Sequence, residues 1–102
     1  MKHKELYSGF VRLHILHHAV NEPIFGLGIM AELARHGYEI SAGTLYPILH
    51  GLEKKGYLRS TQRQSGKNVR RMYRATALGK EAVKEAKYKV EELIGDYLKS
   101  EP

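Results

Sequence analysis

The chain has no cysteine and no tryptophan, and only three prolines and two phenylalanines among 102 residues. Without cysteine there is no disulfide framework, no thiolate zinc site and no cysteine nucleophile, and nothing argues for an oxidising compartment, so a cytoplasmic protein is expected. Long apolar runs are also missing. The stretch after the charged start Met1-Lys2-His3-Lys4-Glu5 is broken by Arg12, His14, His17 and His18, which fits neither a signal peptide nor a membrane span, and no membrane partner is expected. Internal repeats, low-complexity tracts and flexible linkers are absent as well. At 42% hydrophobic composition the chain holds material for one modest core and not for a second independent domain.

Acidic residues are missing from one segment in particular. Residues 1–56 carry six basic and five acidic side chains, and residues 77–102 carry five basic and six acidic ones. Residues 57–76 hold Arg59, Arg63, Lys67, Arg70, Arg71 and Arg74 with no acid, so the whole net charge of +6 resides there. Solubilising charge scattered at random would include acids, so this concentration points to a polyanionic partner.

The periodicity of the first half predicts three helices. Leu6, Phe10, Leu13, Leu16 and Val20 recur at helical spacing and form one face, and Asn21-Glu22-Pro23 ends that helix because proline lacks an amide hydrogen and disfavours a helical residue before it. A second helix is predicted over residues 26–36, with Ile29, Met30 and Leu33 inward and Gly37 as its stop. Ser41 is suited to cap a third, whose inward stripe is Leu45, Ile48, Leu49 and Leu52 and whose end is Gly56. Residues 57–63 and 69–75 then read as two extended segments around the connector Gln64-Ser65-Gly66-Lys67-Asn68, a β-hairpin with a basic tip. Thr76 can cap a last helix running to about Lys99, with Gly79, Val83, Ala86, Val90, Leu93 and Tyr97 on one stripe widened by Ala82, Ile94 and Leu98. At about 1.5 Å per residue that helix is longer than the body in front of it needs.

This order gives a mainly α fold with a small β-hairpin: a winged helix-turn-helix over residues 1–76, followed by a C-terminal dimerisation helix over residues 77–102. In such modules the helix after the turn enters the major groove and the wing follows phosphates or the minor groove. On the third helix the face opposite the apolar stripe carries Gly43, Pro47, His50, Gly51 and Lys54, flanked by Thr44 and Tyr46. Thr44 suits a thymine methyl or a base hydrogen bond, His50 a guanine acceptor or a phosphate, and Tyr46 a phosphate. No Asn, Gln or Arg projects from that face for a bidentate base contact, so backbone contacts and DNA shape are expected to carry much of the affinity. The expected DNA-contacting set is Ser41, Gly43, Thr44, Tyr46, His50 and Lys54 on the helix and Lys67, Arg70 and Arg71 on the wing, with Arg59 and Arg74 bracing the sheet.

The run from Ser41 to Leu58, built on Gly43-Thr44-Leu45-Tyr46-Pro47 and followed by Leu52-Glu53 and Gly56, resembles the recognition-helix motif of the PadR family of transcriptional regulators. The segment from Gly66 to Thr76 together with Gly79 is similar to that family's basic wing, its Tyr-Arg strand and the start of its final helix. The resemblance covers roughly residues 6–80. Two positions depart from it: Phe25-Gly26-Leu27-Gly28-Ile29 stands where the family often has Tyr-Gly-Tyr-Glu-Ile, and Gly51 stands where Arg or Lys is common. The single-helix tail resembles the short-tailed branch, whose final helices pair across a dimer.

The resemblance implies a double-stranded DNA-binding repressor that releases its operator when a small molecule binds, often an aromatic or drug-like cation. Pairing of two final helices through Val83, Ala86, Val90, Leu93 and Tyr97 would present two reading heads to an inverted repeat. A ligand groove is expected between the first and last helices near Phe10, His14, His17, Leu93 and Tyr97.

Three other readings fit less well. His14 with His17 or His18 shares a helical face, but Glu22 is the only carboxylate close in sequence, so the set is incomplete for a structural zinc site and no metal or cofactor is expected. Catalysis is not expected either, because the acids are scattered among lysines and Ser41 has no evident His-carboxylate partner. The alternative that remains is a winged helix used to bind protein or RNA without operator specificity.

Overall fold

The computed structural model describes residues 1–100. The chain runs α1 (Lys4–Asn21), β1 (Ile24–Phe25), α2 (Gly26–Arg35), α3 (Ala42–Lys54), β2 (Leu58–Ser65), β3 (Asn68–Ala75) and α4 (Ala77–Ser100). This is the expected winged helix-turn-helix with a long terminal helix. The last two residues of the expected 77–102 segment lie outside the described residues.

The stops and caps act as the sequence indicated. Gly37, at φ +88°, and Gly56, at φ +90°, take the left-handed backbone that closes α2 and α3. Ser41 Oγ accepts a hydrogen bond from the Thr44 amide at 3.3 Å, and Thr76 Oγ1 accepts one from the Gly79 amide at 3.1 Å. Thr76 also donates to the Gly56 carbonyl, and its amide donates to the Tyr57 carbonyl at 3.0 Å. The corner between α3 and β2 is thereby clamped to the start of α4.

The sheet has the order β1-β3-β2 and is antiparallel throughout. The hairpin is longer than its polar connector suggested. Strand pairing continues to Ser65↔Asn68, so the turn is only Gly66-Lys67. Gly66, at φ +61°, fits the first central position of a type II′ turn, whose twist matches that of the flanking strands. The two-residue strand β1 was not foreseen. It pairs Ile24 with Tyr73 and Phe25 with Met72, and so ties the entrance of α2 to the wing.

One core joins every element ahead of α4: Val11, Ile15, Leu16 and Ala19 from α1, Ile29 and Leu33 from α2, Leu45, Leu49 and Leu52 from α3, and Ile24, Leu58 and Tyr73 from the sheet. The face of α1 that packs inward is therefore not the stripe expected from periodicity. Leu16 belongs to both, but Leu6 is 70% exposed and Phe10 37% exposed. The helix carries two apolar faces, and the one built on Val11, Ile15 and Ala19 joins the common core with residues of α2, α3 and the sheet. In α4 only Gly79 is buried, and Val83 packs against the core. Beyond that point Leu93, Ile94, Tyr97 and Leu98 are each at least half exposed, and the molecule measures 57 × 30 × 20 Å.

Candidate nucleic-acid interface

The outer face of α3 begins at its cap. Ser41 Oγ lies 3.3 Å from Thr44 Oγ1 and donates to it, which leaves the Thr44 hydroxyl proton free to donate outward. Gly43 is exposed with only Ser41 Oγ, at 3.8 Å, near the position of an added methyl group, so another backbone can approach closely there. Pro47 sits inside the helix and has no amide hydrogen to offer the Gly43 carbonyl four residues earlier. His50 and Lys54 follow on the same exposed side. Tyr46 is 36% exposed, and the hydroxyl end of its ring lies over Gly26 at the start of α2. An added methyl group at Gly26 would sit 2.6 Å from Tyr46 Cζ, so the missing side chain is what seats the tyrosine.

The wing is fully exposed over residues 66–71. Its register sets Arg63 directly opposite Arg70 and Arg59 directly opposite Arg74. Like charges facing each other across an antiparallel pair are destabilising, and among the described residues none of the six basic side chains of residues 57–76 forms an ion pair. Lys67 occupies the turn. The Arg70 guanidinium lies over the Phe25 ring at 4.5 Å from its centroid, a cation–π contact that steadies the side chain. Arg71 Nη1 donates to Ser60 Oγ at 3.0 Å, while Ser60 donates to Glu53 Oε2 through its hydroxyl at 2.7 Å and its amide at 2.9 Å. That chain links the wing to α3. Arg71 is thus partly a brace, although the residue is exposed. Tyr73 is buried beside this network, and burial, followed by the Glu53 carboxylate, pushes its phenol above the ordinary tyrosine value.

Between α1 and α4 lies a largely apolar groove of about 370 Å³ lined by Leu13, His17, Val83, Ala86 and Val90 among others. His17 belongs to this groove. His14 does not: it stacks on His36 with ring centroids 4.8 Å apart and packs on Tyr38 at 5.2 Å. His18 joins His14 and His36, so that one ligating atom from each lies within 4.8 Å of the others. Burial, together with the neighbouring imidazoles of His36, His18 and His17, holds His14 below the ordinary histidine value.

Residues 15–85 match the transcriptional regulator PadR-like family. The chain belongs to that family. It is 47% identical over 95 residues to the transcriptional regulator Rv3488 of Mycobacterium tuberculosis, an alignment that covers 93% of this chain and 89% of that protein. The fold superimposes on the crystal structure of a PadR family transcriptional regulator from Eggerthella lenta with a TM-score of 0.80 at 32% identity, covering 95% of this chain and 88% of that one. A transcriptional regulator from Clostridium thermocellum gives a TM-score of 0.84 over the full length of both chains at 24% identity, a likeness of fold. As a PadR regulator the chain is a DNA-binding protein. No helix among the described residues is long and apolar enough to cross a membrane.

In this PadR fold, α3 and the wing lie joined through Glu53, Ser60 and Arg71. The wing set read from the sequence omitted Arg63, whose place opposite Arg70 depends on a strand register that composition does not reveal. Of the expected ligand set only His17 lines the α1–α4 groove: His14 turns towards α2, and Phe10, Leu93 and Tyr97 are not among the residues that line it. Glu22, the carboxylate nearest the histidines in sequence, forms no ion pair with them among the described residues. Glu32 reaches His36 Nε2 at 3.4 Å and His18 Nε2 at 3.9 Å.

Proposed function

We propose that this PadR regulator is a sequence-specific repressor that binds an inverted-repeat duplex operator as a homodimer and responds to a small-molecule ligand. The observation that carries the DNA reading is the pair of unneutralised Arg–Arg registers on the wing, Arg63↔Arg70 and Arg59↔Arg74. They are electrostatically costly in the free protein and relieved by a polyanion, and the wing that carries them is joined to α3 through Glu53, Ser60 and Arg71. Thr44, Gly43 and Ser41 approach the bases or their adjoining backbone, Tyr46, His50 and Lys54 reach phosphates, and Lys67, Arg70 and Arg71 follow the flanking strand. The interface is rich in phosphate contacts and poor in bidentate base contacts, so DNA shape contributes to the choice of site.

The exposed stripe on α4 supports the dimer. Leu93 and Tyr97, with Ile94 and Leu98, leave a broad apolar surface on a helix of 24 residues, and Leu6 and Phe10 of α1 are exposed as well. Two copies paired through Val83, Ala86, Val90, Leu93 and Tyr97 would set the reading heads about one helical turn apart, ~34–36 Å, or a multiple of it. The groove lined by Leu13, His17 and Val90 becomes enclosed in such a dimer, which suits an aromatic or cationic ligand whose binding alters the separation of the heads.

Fluorescence anisotropy against the duplex upstream of the protein's own coding region, a scrambled duplex and a single strand, each at several salt concentrations, tests this reading. With about four phosphates neutralised per subunit, the log–log salt slope of a dimer is about −7. Specific duplex is expected to win by about 10³ or more. Equal binding to scrambled duplex and single strand would instead favour an RNA- or protein-binding winged helix. For the ligand, a compound that shifts operator affinity equally in the parent, Leu13→Ala and His17→Ala proteins would exclude the groove.

A further inference from the structure

We propose that His14, His18 and His36, with Glu32, form a binding site for a divalent transition-metal ion of the zinc class, bridging α1 and the C-terminal end of α2. His14 and His18 lie one turn apart on the same face of α1. His36 follows the last residue of α2 and is held by the left-handed turn at Gly37. One nitrogen from each ring already lies within 4.8 Å of the other two. In a tetrahedral site with bonds near 2.0–2.1 Å, adjacent ligand atoms are ~3.3 Å apart, so the cluster contracts by no more than about 1.5 Å to hold an ion. Rotation of partly exposed imidazoles supplies that movement.

Glu32 completes the set in two ways. Its Oε1 is 3.4 Å from His36 Nε2 and 3.9 Å from His18 Nε2, on the rim where a fourth ligand belongs. Its Oε2 is held by Arg35 Nη1 at 3.0 Å, the kind of outer contact that orients a ligating carboxylate. The ligand chemistry selects the ion. Three imidazoles and a carboxylate with no thiolate suit Zn²⁺, Co²⁺ or Ni²⁺, and a single carboxylate is too few for Ca²⁺ or Mg²⁺. The side chains of His18, Glu32 and His36 are 25%, 28% and 45% exposed, which leaves a path for the ion to enter.

The sequence concealed this site because its members come from two helices, and no spacing rule joins His36 and Glu32 to His14. An ion here would fasten α1 to α2 immediately before the turn that leads into α3. The site does not depend on operator recognition.

The test uses the full-length protein without an affinity tag, stripped with chelator and titrated with Zn²⁺ by calorimetry and with Co²⁺ by visible absorption. One ion per chain is expected, with the d–d bands of four-coordinate Co²⁺ and a melting temperature raised by Zn²⁺. His14→Gln and His36→Asn are each expected to weaken Zn²⁺ at least about 100-fold, and Glu32→Gln about 10-fold. Circular dichroism of the metal-free variants checks their folding, and His36→Asn, at an exposed turn, serves if His14→Gln does not fold. His3→Gln, at a histidine outside the cluster, is expected to bind Zn²⁺ as the parent does. The proposal is overturned if no saturable binding appears, or if folded His36→Asn binds as tightly as the parent.

Discussion

Replacing Gly79 with alanine tests the clamp that fixes α4 to the body. A methyl group there would overlap the Tyr57 carbonyl oxygen, with the carbonyl carbon at 3.2 Å and Ala75 Cβ at 3.4 Å. The obstacle is backbone, so no side chain can rotate away. Tyr57 O is also the acceptor for the Thr76 amide at 3.0 Å. Relief requires the start of α4 to move by about 1 Å, which strains packing at a cost of ~1–3 kcal/mol and loosens a hydrogen bond worth about 1 kcal/mol. Higher helix propensity returns at most about 1 kcal/mol. The net loss is about 1–3 kcal/mol, which at about 4–8 °C per kcal/mol lowers the melting temperature by roughly 5–25 °C. Thermal unfolding followed by circular dichroism, at one fixed protein concentration because the proposed dimer would make melting concentration-dependent, measures it. Gly51 is the control: it is helical and has no atom within 4 Å of an added methyl group, so Gly51→Ala should gain about 0.5–1 kcal/mol. A melting temperature for Gly79→Ala within a few degrees of the parent would refute the clamp.

Three further predictions follow from the same geometry. Gly26→Ala displaces the free end of the Tyr46 ring rather than backbone, so stability should change by less than about 1 kcal/mol while operator affinity falls about tenfold through a lost charged hydrogen bond; unchanged anisotropy binding would show that the Tyr46 hydroxyl makes no phosphate contact. The phenol of Tyr73 is pushed above 10.0 in the folded state, so its contribution to stability is complete below that pH and is lost as pH rises through the folded value. Denaturant unfolding of Tyr73→Phe should therefore show a shallower alkaline decline than the parent, and identical slopes would exclude this source. Leu93→Glu, at a side chain 52% exposed in the single chain, should leave the secondary structure intact and convert the proposed dimer to monomer in sedimentation velocity; a dimer that persists would move the interface off that stripe.

Much of the fold was legible because local chemistry and tertiary structure agree. Ser41, Thr76, Gly37 and Gly56 each have one favourable role at a helix boundary, and each performs it. The stripe on α3 packs as its spacing requires. Where two tertiary outcomes satisfy one local pattern, the sequence is silent. The α1 helix is apolar on two sides, and periodicity cannot say that Val11 and Ile15 go inward while Leu6 and Phe10 stay outside. β1 is two residues long, too short for any alternation to register, and it exists only because β3 offers an edge. The polar letters Gln64, Ser65 and Asn68 look like loop, yet they continue the ladder because Gly66 allows a two-residue reversal. For the candidate interface, the charge concentration was plain from composition. The Arg63–Arg70 opposition and the Glu53–Ser60–Arg71 link were not, since both depend on register.

The unbalanced wing makes the protein answer to its ionic surroundings in two opposite ways. Added salt screens the repulsion between Arg63 and Arg70 and between Arg59 and Arg74, which steadies the hairpin in the free protein. The same salt removes the gain from releasing counterions and so loosens DNA. The wing of the free protein is thus steadiest under the conditions in which it holds DNA least. When ionic strength falls, the strained wing gains most by finding a phosphate backbone.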